Sequence, residues 1–154
     1  LIFRKIFRFS LPQAIIIENL VFCPSGENLK KLMILSVFGL AGVLARYYIG
    51  LLVGKYSTTF PLATLSINLV GSFLIGVIYV LGLEHTMIPA DIRIGIMVGF
   101  LGGFTTFSAY CLESTQLLEN GEWARAAAYF FLSPLLGVTA TLSGLFLTRL
   151  LLRS

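Results

Sequence analysis

The sequence predicts an all-α integral membrane protein with four transmembrane helices, the third of them broken in mid-membrane. Three observations carry this. Of the 154 residues, 57% are hydrophobic and only 12% charged, about half the ~25% charge of an ordinary globular domain. The apolar residues gather in four runs, each long enough to supply the ~20 residues that cross a ~30 Å hydrocarbon core at ~1.5 Å per residue. The third run holds two adjacent glycines and two threonines near its centre, Gly102-Gly103-Phe104-Thr105-Thr106, which make a poor continuous helix. Four spans with short connections use up the length and leave no room for a separate soluble domain, which excludes most enzymes.

Residues 1–32 stand apart from the rest. Arg4, Lys5 and Arg8 precede Leu11 to Phe22, a stretch interrupted by Pro12, Gln13, Glu18 and Asn19. It resembles a secretory signal only loosely, because an ionisable residue sits in the apolar stretch and no small-x-small cleavage site follows. Too short and polar to span, it is expected to be an N-terminal extension that at most lies on a membrane surface. Met33 is the first methionine and directly precedes the first unbroken apolar run, so residues 33–154 are expected to form the membrane domain.

The four spans are expected at Ile34–Gly54, Pro61–Leu83, Ile94–Leu118 and Ala126–Leu150. Each must be helical, because in lipid only a helix satisfies its own backbone within one segment. The connections, Lys55–Phe60, Glu84–Arg93 and Glu119–Arg125, are short and carry the turn residues Pro89, Asn120 and Gly121, so sequential neighbours run antiparallel. Both termini and the Glu84–Arg93 loop then share one side. Counted from Met33, that side holds Arg93, Arg149 and Arg153, against Lys55 and Arg125 on the other. Such a small bias does not set an orientation. Insertion both ways is expected unless the extension, with Arg4, Lys5, Arg8, Lys30 and Lys31, imposes one.

The side-chain inventory removes further classes. The 11 Lys+Arg and 7 Asp+Glu residues, net +4, form no stripe and, Arg46 and Glu113 apart, sit at segment ends and in loops, so no nucleic-acid partner is expected. Cys23 and Cys111 have no close partner and His85 is the only imidazole. A Cys/His metal site, haem ligation or a Ser-His-Asp triad therefore lacks its members. Gly54-Lys55 lacks the upstream glycine and the following Ser/Thr of a phosphate loop, and no nucleotide chemistry or enzyme activity is expected.

The polar residues at depth are the informative ones, since each costs free energy in hydrocarbon unless it faces protein or water. Thr64, Asn68, Ser72 and Gly76 recur every four residues on one face of the second span. Tyr129, Ser133, Gly137 and Thr141 repeat the pattern in the fourth, and the first offers Gly42, Arg46, Gly50 and Gly54. Small residues in such seams let backbones approach, and Gly50, Gly54, Gly76 and Gly144 are read as packing positions. Asn68 differs, because a carboxamide brings two donors and two acceptors that a local backbone bond cannot all satisfy. It either lines a pathway or joins two helices. Arg46 lies too deep for easy snorkelling and needs a partner, a vestibule or an anion.

Irregular backbone at membrane depth is tolerated only where it is buried in protein or lines a cavity, and its freed carbonyls can then bind a cation. A half-helix beginning near Thr105 would also turn amide N–H groups inward. No pair of embedded carboxylates accompanies this break, and Glu113 is the only acid near a span interior. What remains is hydroxyls, one carboxamide, one arginine and the positive ring edges of Phe107 and Tyr110, an inventory that donates hydrogen bonds and suits a small anion.

At these residues the chain resembles a known family, the small Fluc-type (CrcB-like) fluoride channels, over about Met33 to Leu152. The resemblance rests on Gly42-Val-Leu-Ala-Arg46-Tyr47 in the first span and Pro61-Leu-Ala-Thr64-Leu-Ser-Ile-Asn68-Leu-Val-Gly71-Ser72-Phe73 in the second. In the third it rests on Gly99-Phe-Leu-Gly-Gly-Phe-Thr-Thr-Phe-Ser108 with Glu113. It implies a multi-pass protein of the cell membrane, paired as an antiparallel, dual-topology homodimer with two fluoride pathways along the interface. Fluoride, sodium, membrane lipid and a second copy are the implied partners. Passive, electrodiffusive export of fluoride is the implied function.

Position by position, Asn68 resembles the pore asparagine and Phe107 the first of two phenylalanines whose ring edges face fluoride. The second falls on Tyr110, a departure that keeps the ring but adds a polar tip. Thr106, Ser108, Tyr129 and Ser133 align with hydroxyl-bearing pathway positions, while Gly137 falls where some relatives have a serine. Gly102 and Thr105 match residues whose backbone carbonyls hold a central structural sodium ion, and Arg46 and Glu113 resemble vestibule residues. Two rival readings are a dual-topology small-solute or multidrug exporter and a non-transporting scaffold. The first would want an intramembrane carboxylate in its first helix, where Arg46 stands instead.

Overall fold

The computed structural model describes residues 26–56 and 60–153. Nearly all of the expected extension, including Arg4, Lys5 and Arg8, lies outside them. The chain divides into two units, Leu1–Lys30 and Lys31–Ser154. Of the first, residues 26–30 are described and are helical.

The described residues are helical with no strand. In order they form α1 (Gly26–Gly54), α2 (Leu62–Tyr79) running on into a π-helical turn (Val80–Glu84), and α3 (Ala90–Ile94). A second π-helical stretch (Gly95–Phe100) leads into α4 (Leu101–Phe104), followed by α5 (Phe107–Glu119) and α6 (Trp123–Leu151). Among the described residues four stretches are long and apolar enough to cross a membrane: Gly26–Gly54, Leu62–Glu84, Ala90–Glu119 and Trp123–Leu151. They overlap the four expected spans: the first starts eight residues earlier, and every other end lies within four residues of its expected place. Helical hydrogen bonding does not stop where the apolar run stops, so the helices continue into Glu27 at one end and Glu119 at another. At the N-terminal end of α1 an acid also complements the positive end of the helix dipole.

The connections follow the turn chemistry. Pro89 precedes the first residue of α3 with extended backbone, where its missing N–H costs nothing. Gly121 takes φ +75° between α5 and α6, a conformation glycine adopts without steric penalty. Glu84 pairs with Arg149, the Nε–Oε2 distance being 3.0 Å. Arg93 Nη1 donates to the Gly82 carbonyl at 2.7 Å. The second connection and the end of α6 thus share one side, as antiparallel neighbours require.

Two glycine contacts set the packing. A methyl group on Gly76 would collide with the Thr141 carbonyl, and one on Gly144 with the Phe73 carbonyl. The backbones of α2 and α6 therefore touch at both places, and Thr141 Oγ1 donates across the gap to the Ser72 carbonyl at 2.9 Å. In the same way a methyl on Gly42 would strike the Phe100 carbonyl, and one on Gly103 would lie 2.7 Å from the Gly39 carbonyl. Gly50 and Gly54 differ from the packing expectation: a methyl on either meets nothing within 4 Å among the described residues. Among the contacts described, α1 meets the third span between Ile34 and Arg46, and both glycines lie beyond that stretch. Large apolar side chains such as Val37, Leu40, Phe131, Leu135 and Phe146 point outward, as expected where the solvent is hydrocarbon.

Candidate functional site

Between α4 and α5 the chain stops being helical for two residues. Thr105 (φ −81°, ψ 158°) and Thr106 (φ −149°, ψ 115°) are extended. Thr105 turns back on the preceding turn, its N–H and its hydroxyl both donating to the Leu101 carbonyl at 3.0 and 2.9 Å. Thr106 caps α5, its Oγ1 accepting from the Ala109 N–H at 3.3 Å, which supplies one of the donors a helix start leaves open.

The Thr106 peptide itself is held by α2. Its N–H donates to Asn68 Oδ1 at 2.8 Å and its carbonyl accepts from Asn68 Nδ2 at 3.0 Å. One planar carboxamide thus pairs with extended backbone as a neighbouring strand would, and the pair of bonds fixes which end of the amide is nitrogen. Three residues on, Gly71 makes room, since a methyl there would run into Thr105 Cγ2. The clamp spends one Asn68 N–H and one lone pair; a carboxamide has a second of each.

Two clefts open beside this junction. One of about 300 Å³ is lined by Asn68, Gly71, Ser72 and Ile75 of α2 with Met97, Leu101, Gly102, Thr105, Thr106 and Phe107. The other, about 280 Å³, is lined by Asn68, Ser72, Phe107 and Tyr110 with Ser133, Pro134, Gly137, Val138 and Thr141. Asn68, Ser72 and Phe107 border both. The side chain of Phe107 is largely exposed, and its ring lies 5.5 Å from that of Tyr110. Tyr110 is buried, and its hydroxyl donates to the Phe130 carbonyl at 2.7 Å.

The sequence-derived residues therefore divide. Asn68, Thr106, Phe107, Tyr110 and Ser133 come together around the clefts, with Gly102 and Thr105. Ser108 is exposed and borders neither cleft, its Oγ lying 3.3 Å from Thr106 Oγ1. Tyr129 is almost fully buried and borders neither: its hydroxyl donates to Glu113 Oε2 at 2.8 Å. Glu113 also accepts from Thr64 Oγ1 at 2.6 Å, so it sits inside the bundle between α2 and α6. Ser72 and Thr64 are members of the polar seam read from the sequence whose roles only the packing shows.

A carboxylate that accepts two hydroxyls is held by charge-assisted bonds. Glu113→Ala strands the buried Tyr129 and Thr64 hydroxyls and is expected to cost about 2–4 kcal/mol, whereas Glu113→Gln keeps an acceptor and is expected to lose less than half of that. Thermal melting of the two variants in detergent tests the difference.

The site offers oxygen donors to a cation. The extended Thr106 gives its N–H to Asn68 instead of to the Gly102 carbonyl, and Gly102 lies on an open surface with nothing near its missing side chain. Backbone carbonyls are hard ligands suited to a hard cation. The Thr105 carbonyl is shared with Arg46, whose Nη1 donates to it at 3.3 Å, which leaves one lone pair. Among the described residues no group of His, Cys, Asp or Glu side chains is arranged to hold a metal.

Residues 33–145 match the family model described as "CrcB-like protein, Camphor Resistance (CrcB)". Curated relatives are similar along almost their whole length. A fluoride-specific ion channel FluC of Pseudomonas syringae pv. tomato is 42% identical over 123 residues, 79% of this chain and 99% of the relative. A protein of the same name from a Pseudomonas fluorescens strain is 46% identical over 116 residues, 75% and 94% of the two chains. Another from Chlorobium chlorochromatii is 42% identical over 123 residues, 80% and 95%.

Proposed function

Since this chain belongs to the CrcB-like family, we propose that it is a multi-pass membrane channel that lets fluoride leave the cell down its electrochemical gradient. The observation that supports this most directly is the Asn68–Thr106 clamp. It puts a carboxamide that keeps a spare N–H where two clefts meet, beside the exposed ring of Phe107. Fluoride is small and strongly hydrated, so it enters a narrow path only where donors replace its water. The Asn68 N–H, the Ser72 and Ser133 hydroxyls, and the ring edges of Phe107 and Tyr110 form that set. Each is a neutral donor, strong enough to strip water and weak enough to release the ion.

The direction of flow needs no coupling. Hydrogen fluoride crosses membranes uncharged and ionises in a more neutral interior, and an inside-negative potential then drives the anion out with about 2.3 kcal/mol per 100 mV. The protein is thus a channel and not an enzyme.

The working unit in this reading is an antiparallel homodimer of dual topology, with the third span of each copy interrupted at Thr105 and Thr106. Gly102, Phe107 and Ser108 beside the interruption are exposed on the single chain, and polar backbone such as that of Gly102 is not tolerated against hydrocarbon. A second copy covers them and closes each cleft into a path. The carbonyls of Gly102 and Thr105 from both copies would hold a sodium ion at the shared axis, and that ion supplies a fixed positive charge there. Arg46 braces the Thr105 carbonyl from the other side and adds positive potential for an arriving anion.

The test is fluoride release from liposomes loaded with potassium fluoride, read with an electrode after valinomycin is added. Fast fluoride release with chloride retained is expected; equal rates, or none, would refute the channel. Purification and assay with N-methyl-D-glucamine in place of sodium is expected to lose most of the flux and to split the dimer, and full activity under those conditions would remove sodium from the account.

A further inference from the structure

We propose that Tyr110 and Pro134 act as one positioning unit: the Tyr110 hydroxyl holds a backbone carbonyl that Pro134 leaves unpaired, and this bond sets the Tyr110 ring beside the ion path. The positioning half rests on the channel reading above, while the bond itself does not.

Pro134 lies in the interior of α6. Proline has no N–H, so the carbonyl four residues earlier loses its helical donor. That carbonyl belongs to Phe130. In water the loss is made good by solvent, but in a bilayer no water is at hand and the group must find a donor in the protein. The phenol of Tyr110 is that donor, at 2.7 Å from the Phe130 oxygen. Tyr110 is only 7% exposed, which keeps the donor phenol largely out of solvent.

The bond also fixes the ring. Tyr110 is flanked by Tyr129 at 5.2 Å, Phe107 at 5.5 Å and Phe130 at 6.5 Å between ring centroids. With its tip anchored to α6, its remaining surface borders the cleft shared with Asn68, Phe107 and Ser133. A phenylalanine would keep the ring and lose the anchor, leaving the Phe130 carbonyl without its donor. The phenol is therefore what Pro134 demands, and it contributes to conduction through its edge and not through its hydroxyl.

The test is a double-mutant cycle of Tyr110→Phe and Pro134→Ala on the full chain, since alanine at 134 returns an N–H to the Phe130 carbonyl. Melting in nanodiscs without fluoride reads the bond. Fluoride efflux from liposomes, measured per folded protein, reads the positioning. Tyr110→Phe is expected to lower the melting temperature by about 5 °C when residue 134 is proline, and by under a third of that when it is alanine. Efflux is expected to fall about tenfold in the first background and less than twofold in the second. Equal melting losses in both backgrounds would overturn the bond and the proposal with it. A coupled melting loss with efflux untouched by Tyr110→Phe would overturn the positioning role. If the cycle shows the melting coupling yet the wild-type chain releases no fluoride, the channel reading fails and takes the positioning role with it, while the bond stands.

Discussion

Asn68→Asp is expected to abolish fluoride release, lowering it at least a hundredfold, while the protein still inserts in the membrane. The substitution changes one atom and strikes two functions at once. Asparagine meets the Thr106 peptide with a donor and an acceptor, at 3.0 and 2.8 Å. An ionised aspartate has acceptors only, so the bond to the Thr106 carbonyl becomes an oxygen–oxygen repulsion and the extended backbone loses half its support. The same carboxylate places a full negative charge where two clefts converge, and in a low-dielectric site such a charge repels an anion far more strongly than in water. Efflux from liposomes is the measurement. Asn68→Ser separates the two effects: it removes the clamp without adding charge and is expected to leave a slow residual flux. Unchanged release by the aspartate variant would mean that fluoride does not pass Asn68.

Gly144→Val is expected to prevent assembly of the bundle, whereas Gly50→Ala is expected to change stability by less than about 1 kcal/mol. Both glycines are read from the sequence as packing positions, and both substitutions add side-chain carbon to a helix. At Gly144 even the first added carbon falls on the Phe73 carbonyl and within 3.2 Å of the Val77 nitrogen. These are backbone atoms of a rigid helix and cannot turn aside as a flexible side chain can. Overpacking of this kind costs about 1–3 kcal/mol where a core can relax, and more where two helix backbones must separate and lose the Thr141–Ser72 bond with them. At Gly50 an added carbon meets nothing within 4 Å. Size-exclusion profiles and melting of the two variants in the same detergent check the contrast. A well-behaved Gly144→Val protein would show that α2 and α6 do not meet as described.

Much of this was legible in the chain itself, residue by residue. Hydropathy located the four spans within four residues except at the start of the first, eight residues off, since lipid leaves a backbone almost no alternative to helix. Asn68 stood out because its cost in hydrocarbon has to be repaid, and the run from Gly102 to Thr106 stood out because glycine pairs followed by β-branched residues hold a helix poorly. Other features had no local signal. Gly50 and Gly144 look alike in sequence, and only the course of neighbouring helices separates an open position from a crossing point. Glu113 reads as an acid near the end of a span, yet its place is fixed by Thr64 and Tyr129, from two other helices. The polar tip of Tyr110 is a departure with no local explanation in sequence, and its acceptor lies on α6.

The sequence by itself determined that the chain lives in a membrane, that it crosses four times, and that its polar inventory at depth is neutral hydrogen-bond donors with a single deep arginine and the one acid Glu113. Those properties follow from transfer free energies and backbone satisfaction, which act on each segment separately and so can be read segment by segment. Which donor meets which acceptor was decided only by the tertiary structure. Asn68 and Thr106 lie 38 residues apart, and Arg46 and Thr105 59 apart. Hydrogen bonds are short-ranged and directional, so such pairs exist only once the glycine crossings have brought the helices close enough to form them.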